Sequence, residues 1–320
     1  MSATLSVRVA RRSVEAEGVV SFELVGADGR ALPAFAAGSH VDVHVPGGPT
    51  RQYSLCNDPC ETHRYLIAVL REPASRGGSA GMHDRVQPGD LLTISVPKNH
   101  FALAHDAGSH LLLAGGIGVT PLLCMAERLA HIGADFEMHY CARSRARMAF
   151  QARIEAAPYA ARVRMHFDDG AQAQRLDLAA VLAGSRPDRH LYVCGPRGFM
   201  DAVLERARGM GWPESHIHFE FFGAERVAAT SGGAFAVKLA SSGRTIPVAA
   251  DRSVVQALAE AGVTVPTSCE QGVCGTCLTR VLEGEPEHRD LYLTPEEQAA
   301  NDQFLPCCSR SKSPMLVLDL

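Results

Sequence analysis

The sequence predicts a multidomain chain of 320 residues: an antiparallel β-barrel, an α/β domain built on a doubly wound parallel sheet, and a small α+β domain at the C-terminal end. Three observations predict it. Short alternating apolar runs broken by Gly and Pro fill residues 1–102, the texture of a small all-β barrel. Strand-like and helix-like runs then alternate over 103–227, which implies a parallel sheet. A stretch of small residues at 228–234 reads as a linker, and residues 235–320 begin as a hairpin and lead into a cysteine-rich loop.

The barrel strands are the runs SVRVARR, VVSFELV, HVDVHVP, QYSLC, YLIAVL and LLTISVP. The texture changes at His110–Ala114, a continuous apolar run ending in Gly-Gly. A helix pattern follows, with Leu122, Met125, Ala126 and Leu129 on one face and Gly133 after its end. Strands are then expected at Phe136–Ala142, Leu191–Cys194 and His216–Phe222, with a helix at Gly198–Arg208. In the last domain, Phe235–Leu239 and Thr245–Val248 form the expected hairpin and Val254–Ala261 the short helix.

Hydrophobic residues make up 46% of the chain and charged residues 21%, which excludes disorder and coiled coil as whole-chain descriptions. No apolar run reaches the length of roughly 18–20 residues that spans a bilayer. The first residues are polar and lack the apolar core of a signal peptide, so a cytoplasmic protein with reduced cysteines is expected. A net charge of -4 argues against nucleic-acid binding by bulk electrostatics. Residues 231–320 hold 11 acids against 7 Lys and Arg, so they carry the whole excess. That acidity suits either a basic docking partner or mere solubility.

The strongest signal is Cys269-x4-Cys274-x2-Cys277, with Cys307 following after 29 residues. C-x4-C-x2-C…C is the plant-type [2Fe–2S] spacing. Four thiolates must converge on two irons, so three come from one tight loop and the fourth from a distant segment. Gly272 and Gly275 let that loop wrap and turn backbone N–H groups toward sulfur. Zinc more often takes two C-x2-C pairs, and only one is present. On spacing, either Cys307 or Cys308 suits the fourth place.

Two further motifs suit cofactors. Arg51-Gln52-Tyr53-Ser54-Leu55 ends a barrel strand, where Arg can fork onto phosphate, Tyr can stack on an isoalloxazine and Ser can bond its polar edge. Gly77-Gly78-Ser79 opens a short helix whose free N–H groups suit a phosphate. Each alone also describes an ordinary strand end or surface turn. Gly115-Gly116-Ile117-Gly118-Val119-Thr120-Pro121 lies between a strand and a helix, where a dinucleotide pyrophosphate is bound. Pro121 replaces the third glycine of the Rossmann fingerprint. Cys194-Gly195-Pro196 closes a later strand in the same way and brings a thiol to the mouth of the sheet, or simply buries a small side chain at a turn.

In this order, the motifs resemble the phthalate dioxygenase reductase family, which includes vanillate O-demethylase reductases. It is a branch of the ferredoxin–NADP reductase superfamily with a C-terminal plant-type ferredoxin domain. The resemblance spans nearly the whole chain through the cysteine loop, RQYSL, GGIGVTP, CGP and Glu220-Phe221-Phe222. It implies an FMN-binding barrel, an NAD-binding domain and a β-grasp ferredoxin-like [2Fe–2S] domain. By motif, Arg51, Tyr53, Ser54, Leu55, Gly77, Gly78 and Ser79 hold flavin. Gly115, Gly116, Gly118, Thr120, Arg143, Ser144, Cys194, Gly195 and Pro196 serve the nicotinamide nucleotide. Thr120, Cys194 and Glu220 sit at the hydride-transfer site. The ferredoxin pattern Cys-x-Ser-Arg, with Cys308 at x, favours Cys307 as fourth ligand. No FAD adenine-binding extension is identified, which favours FMN.

A nicotinamide gives up two electrons at once and a [2Fe–2S] cluster accepts one, so a flavin between them makes the two compatible. The resemblance implies NADH as donor and a Rieske-type terminal oxygenase, acting on an aromatic acid, as acceptor. A monomer is expected, since one chain holds the whole relay. Arg143 and Arg145 could bind a 2′-phosphate, whereas Asp168 and Asp169 would repel it. Two other readings stand: a reductase serving a ferredoxin or haem monooxygenase, and a non-enzymatic iron–sulfur carrier.

Overall fold

In the computed structural model, the described residues are 4–75, 77–184, 186–222, 233–267, 270, 272–273, 275–290 and 292–320. They fall into two compact units, Met1–Phe222 and Gly223–Leu320.

The first unit opens with β1 (Thr4–Ala16), β2 (Val19–Gly26), β3 (Ser39–His44), β4 (Thr50–Ser54), β5 (Tyr65–Leu70), α1 (Gly78–Arg85), β6 (Leu91–Ser95) and β7 (Lys98–Asn99). The strand order is β4-β3-β6-β1-β2-β5, with β7 on β3. The two ends of that row meet where Leu55, just past β4, bridges Ile67 of β5, which closes the barrel. Alternation explains the packing: Val7, Val9, Phe22, Leu24, Val41, Val43, Ile67 and Ile94 point inward and are fully buried.

The α/β part follows as β8 (Ser109–Gly115), α2 (Val119–His131), β9 (Asp135–Ala142), α3 (Gln151–Glu155), β10 (Val163–Phe167), α4 (Leu178–Leu182), β11 (Arg189–Cys194), α5 (Arg197–Gly209) and β12 (Ile217–Glu220). Its order, β10-β9-β8-β11-β12, is parallel throughout. The winding reverses between β8 and β11, so the crevice for a ligand opens at the ends of these two strands. Every residue of β8 is buried, which is why it reads as an unbroken apolar run.

One sequence expectation needs adjustment, and three elements are missing from the sequence reading. The last strand is shorter than His216–Phe222, because Glu214–His216 forms a 3-10 turn that uses up its start. Edge strand β10 carries a polar, half-buried pattern with no clear alternation, so it is absent from the sequence reading. The five-residue helices α3 and α4 are too short to show a period. The linker expected at 228–234 lies outside the described residues except for Gly233 and Ala234.

The second unit contains β13 (Phe235–Leu239), β14 (Thr245–Val248), α6 (Val254–Glu260), β15 (Thr279–Glu283), β16 (Pro286–Glu287), α7 (Pro295–Ala300), β17 (Gln303–Phe304), β18 (Arg310–Ser311) and β19 (Met315–Leu318). The mixed sheet runs β14-β13-β19-β15-β17, with parallel β13 and β19 side by side at its centre. A helix over such a sheet is the β-grasp arrangement. Ser253 caps α6 through a capping box with Gln256, so the helix starts where the sequence places it. Val254 and Leu258 of α6 pack into the same core as Val237, Val248 and Leu316.

Candidate active site and iron–sulfur centre

The flavin candidates converge at the end of the barrel. β4 carries Arg51, Tyr53 and Ser54. Gly77 takes φ 87°, a left-handed value that favours glycine, and starts α1 without a side-chain cap or an acid in the first turn. A Cβ on Gly78 would stand 2.9 Å from Arg51 Cγ, so the arginine stem lies directly against the helix start. Arg51 Nη1 donates to the Thr50 carbonyl at 2.7 Å, and no other hydrogen bond to this guanidinium is found among the described residues. A guanidinium and a bare helix N-terminus at one spot fit a flavin phosphate. Burial pushes the Tyr53 phenol up, so the ring stays neutral. Ser79 turns its hydroxyl back to accept from the Glu72 N–H at 3.1 Å, which fixes the loop. Leu55 has its side chain in the barrel core, so only its backbone can face a ligand.

The glycines between β8 and α2 have distinct duties. A Cβ on Gly118 would run into the Cys194 carbonyl, and one on Gly115 would stand 2.9 Å from Pro196 Cδ. Gly195 is closed in the same way, its Cβ position 3.0 Å from Gly115 Cα. These three let the ends of β8 and β11 touch. Gly116 differs: its φ is 53° and nothing lies within 4 Å of its Cβ position, so it leaves the approach to α2 open. Thr120 Oγ1 donates to the Ile117 carbonyl at 3.0 Å and pins that turn. Replacing Gly118 by Ala is expected to push two backbones apart at a cost of about 1–3 kcal/mol. A thermal midpoint unchanged from wild type would contradict the close approach.

Ser54, Cys194 and Glu220 meet where the barrel faces the sheet. Cys194 and Glu220 are register partners on parallel strands β11 and β12. Ser54 Oγ donates to Glu220 Oε2 at 3.5 Å across 166 residues of sequence. Burial pushes the Glu220 carboxyl up to about 8, opposed only by the Ser54 hydrogen bond. Burial, reinforced by Glu220, holds the Cys194 thiol well above its ordinary value. A thiol so held is no nucleophile, which agrees with a role in shaping a pocket. Arg143 is exposed and Ser144 half-buried just past β9. The Asp169 N–H donates to the Arg143 carbonyl, so the acidic end of β10 lies beside them.

Of the iron ligands expected, Cys277 and Cys307 are described, whereas Cys269 and Cys274 lie outside the described residues. The Cys307 thiol is within hydrogen-bonding reach of Cys277, and the Gly272 N–H points at the Cys307 sulfur. Cys308 Sγ reaches the Leu305 carbonyl at 3.7 Å, lies beside Gly272, whose Cβ position is 2.5 Å away, and is itself within hydrogen-bonding reach of Cys307. Gly272 and Gly275 take φ 73° and 69°, as a wrapping loop requires. The Tyr292 ring occupies the space a Gly275 side chain would need. Buried Asp290 accepts from the Leu293 N–H at 2.9 Å and from Ser309 Oγ at 3.2 Å. It thereby ties the Tyr292 loop to the segment bearing Cys307. Neither Tyr292 nor Asp290 is part of the sequence reading; Asp290, whose carboxylate accepts from the Tyr292 N–H two residues on at 3.3 Å, is the turn-forming residue type that could have found the loop.

A flavin barrel, a nucleotide crevice and a thiolate loop in one chain define a pyridine-nucleotide-dependent iron–sulfur flavoprotein reductase. Residues 237–312 match the model of the 2Fe-2S iron-sulfur cluster binding domain. Residues 95–217 match that of the dimethylamine monooxygenase subunit DmmA-like N-terminal domain. The vanillate O-demethylase oxidoreductase of Pseudomonas putida is 55% identical over 98% of this chain and 98% of its own. A solved structure of phthalate dioxygenase reductase, 40% identical, superposes with TM-score 0.82 over 99% of this chain and 98% of that one. An intact type IV self-sufficient cytochrome P450 monooxygenase superposes with TM-score 0.81 and 38% identity, over 99% of this chain and 41% of that one. The chain belongs to the family of phthalate dioxygenase reductases and vanillate O-demethylase oxidoreductases. No helix among the described residues is long and apolar enough to cross a membrane.

Proposed function

We propose that this protein is the reductase component of a two-component, Rieske-type aromatic-ring oxygenase or O-demethylase. It takes electrons from NADH through FMN to its [2Fe–2S] cluster and on to the oxygenase. The observation that carries the reading is the convergence of Ser54, Cys194 and Glu220 at the barrel–sheet junction, with a phosphate-type site on the barrel side and Gly116 on the other. Bound there, a flavin converts a two-electron hydride into single electrons. Arg51 and the α1 N-terminus hold its phosphate, Ser54 meets its polar edge, and Tyr53 lies along its ring. The turn Gly116–Thr120 receives the pyrophosphate, while Cys194 and Glu220 exclude water around the nicotinamide. Cys269, Cys274, Cys277 and Cys307 hold the cluster. The barrel is assigned to 1–102, the nucleotide domain to 103–227 and the ferredoxin domain to 235–320, and the protein works as a cytoplasmic monomer.

Anaerobic NADH added to purified protein is expected to bleach overlapping flavin and iron–sulfur bands, and addition of a purified Rieske-type oxygenase to restore them. Bleaching without reoxidation by any such oxygenase would refute the proposed acceptor. The likeness to a chain that includes a P450 favours one second reading, delivery to a haem monooxygenase, and the same assay with a P450 separates the two.

A further inference from the structure

We infer that Asp58, Cys60 and His131 form a binding site for a zinc-class divalent cation, separate from the electron-transfer relay and bridging the barrel to the nucleotide domain. Their ligand atoms (a carboxylate oxygen, a thiol sulfur and an imidazole nitrogen) all lie within 4.8 Å of one another. Tetrahedral zinc with bonds of about 2.0–2.3 Å needs donors about 3.3–3.8 Å apart, so a contraction of about 1 Å completes the site. Asp58 is half-buried, and Cys60 and His131 are exposed, so an ion has an open path and a fourth position for water.

The donors come from two elements, and each is held. Asp58 and Cys60 lie in the loop from β4 to β5, which buried Asn57 organises. Its Nδ2 donates to Glu61 Oε2 at 3.0 Å and to the Arg64 carbonyl at 3.2 Å, and its Oδ1 accepts from the Leu66 N–H at 2.9 Å. Asp58 Oδ1 accepts from the Cys60 N–H at 2.9 Å, which brings carboxylate and thiol to the same side of the turn. His131 is the last residue of α2, a 13-residue helix whose other face is core. Little ordering is left for binding to supply at the loop.

The donor chemistry selects the ion. One thiolate, one carboxylate and one neutral imidazole offset a double positive charge and suit zinc rather than magnesium or calcium, which want oxygen alone. Binding releases the thiol proton to solvent. Arg128 Nη1 stands 4.0 Å from Cys60 Sγ and becomes an outer partner of the bound thiolate.

The test uses the holoprotein, with flavin and cluster loaded and adventitious metal removed by a mild chelator. Zn2+ is titrated against a chromophoric chelator for wild type, Cys60→Ser, His131→Ala and Asp58→Asn, while visible absorbance reports the cluster. Wild type is expected to bind one equivalent more than Cys60→Ser, with at least about 10-fold weaker binding in the other two. Cd2+ is expected to give a thiolate charge-transfer band in wild type that Cys60→Ser lacks. Equal stoichiometry and affinity in wild type and Cys60→Ser would overturn the site. So would zinc uptake that tracks loss of cluster absorbance in both proteins, since the ion would then be taking the cluster cysteines.

Discussion

Cys307→Ala is expected to leave a protein that oxidises NADH with ferricyanide but has lost the [2Fe–2S] spectrum and the acid-labile sulfide. Delivery to a one-electron acceptor beyond the cluster should fall by about two orders of magnitude or more, because the single-electron outlet is gone. Cys308→Ala should keep both iron and activity. The two neighbours differ in what surrounds their sulfurs. Cys307 adjoins Cys277 and receives the Gly272 N–H, the kind of backbone donor that stabilises a ligating thiolate. Cys308 Sγ also borders Gly272, but it reaches the Leu305 carbonyl at 3.7 Å and lies 3.8 Å from Ser309 Oγ, so what sets Cys307 apart is its contact with Cys277. Iron and sulfide analysis of both variants decides the assignment. Full cluster content in Cys307→Ala together with its loss in Cys308→Ala would reverse it.

Much of this architecture is legible in the sequence because local rules set it. The barrel strands show period-two alternation, β8 shows a continuous apolar run, and Ser253-x-x-Gln256 marks the start of α6. The glycine motif was legible as a turn, yet its division of labour was not. Whether a glycine faces open space, as Gly116 does, or a neighbouring backbone, as Gly118 does, depends on strand β11, which lies some 75 residues further on. The same holds for contacts made by fold alone. No spacing rule joins Ser54 to Glu220, or Cys60 to His131, because each pair is brought together by packing of the barrel on the sheet. Strand β10 was illegible for a different reason: at the sheet edge its side chains are half-solvated, so the apolar pattern that marks a strand is not required.

Glu220→Gln is expected to separate the two things Glu220 does. With the carboxyl pushed up to about 8 by burial, the group is mostly protonated at pH 7. An amide of the same shape can still accept from Ser54, so hydride transfer near neutrality should stay within about tenfold of wild type. Wild-type activity should fall as pH rises through about 8, when a charge appears beside Cys194, and the variant should not show this fall. Stability follows with a definite sign. The native state binds this proton more tightly than the unfolded chain, whose value is 4.5, so wild-type stability declines as pH rises from 4.5 to about 8 and is flat above. By surface exposure Glu220 is only half-buried, which limits the total to about 2–4 kcal/mol. The variant should therefore match wild type at pH 4 and exceed it by that margin at pH 9. Parallel stability curves for the two proteins across this range would show that Glu220 ionises like a surface carboxylate. The fall in activity at high pH would then have to come from another group.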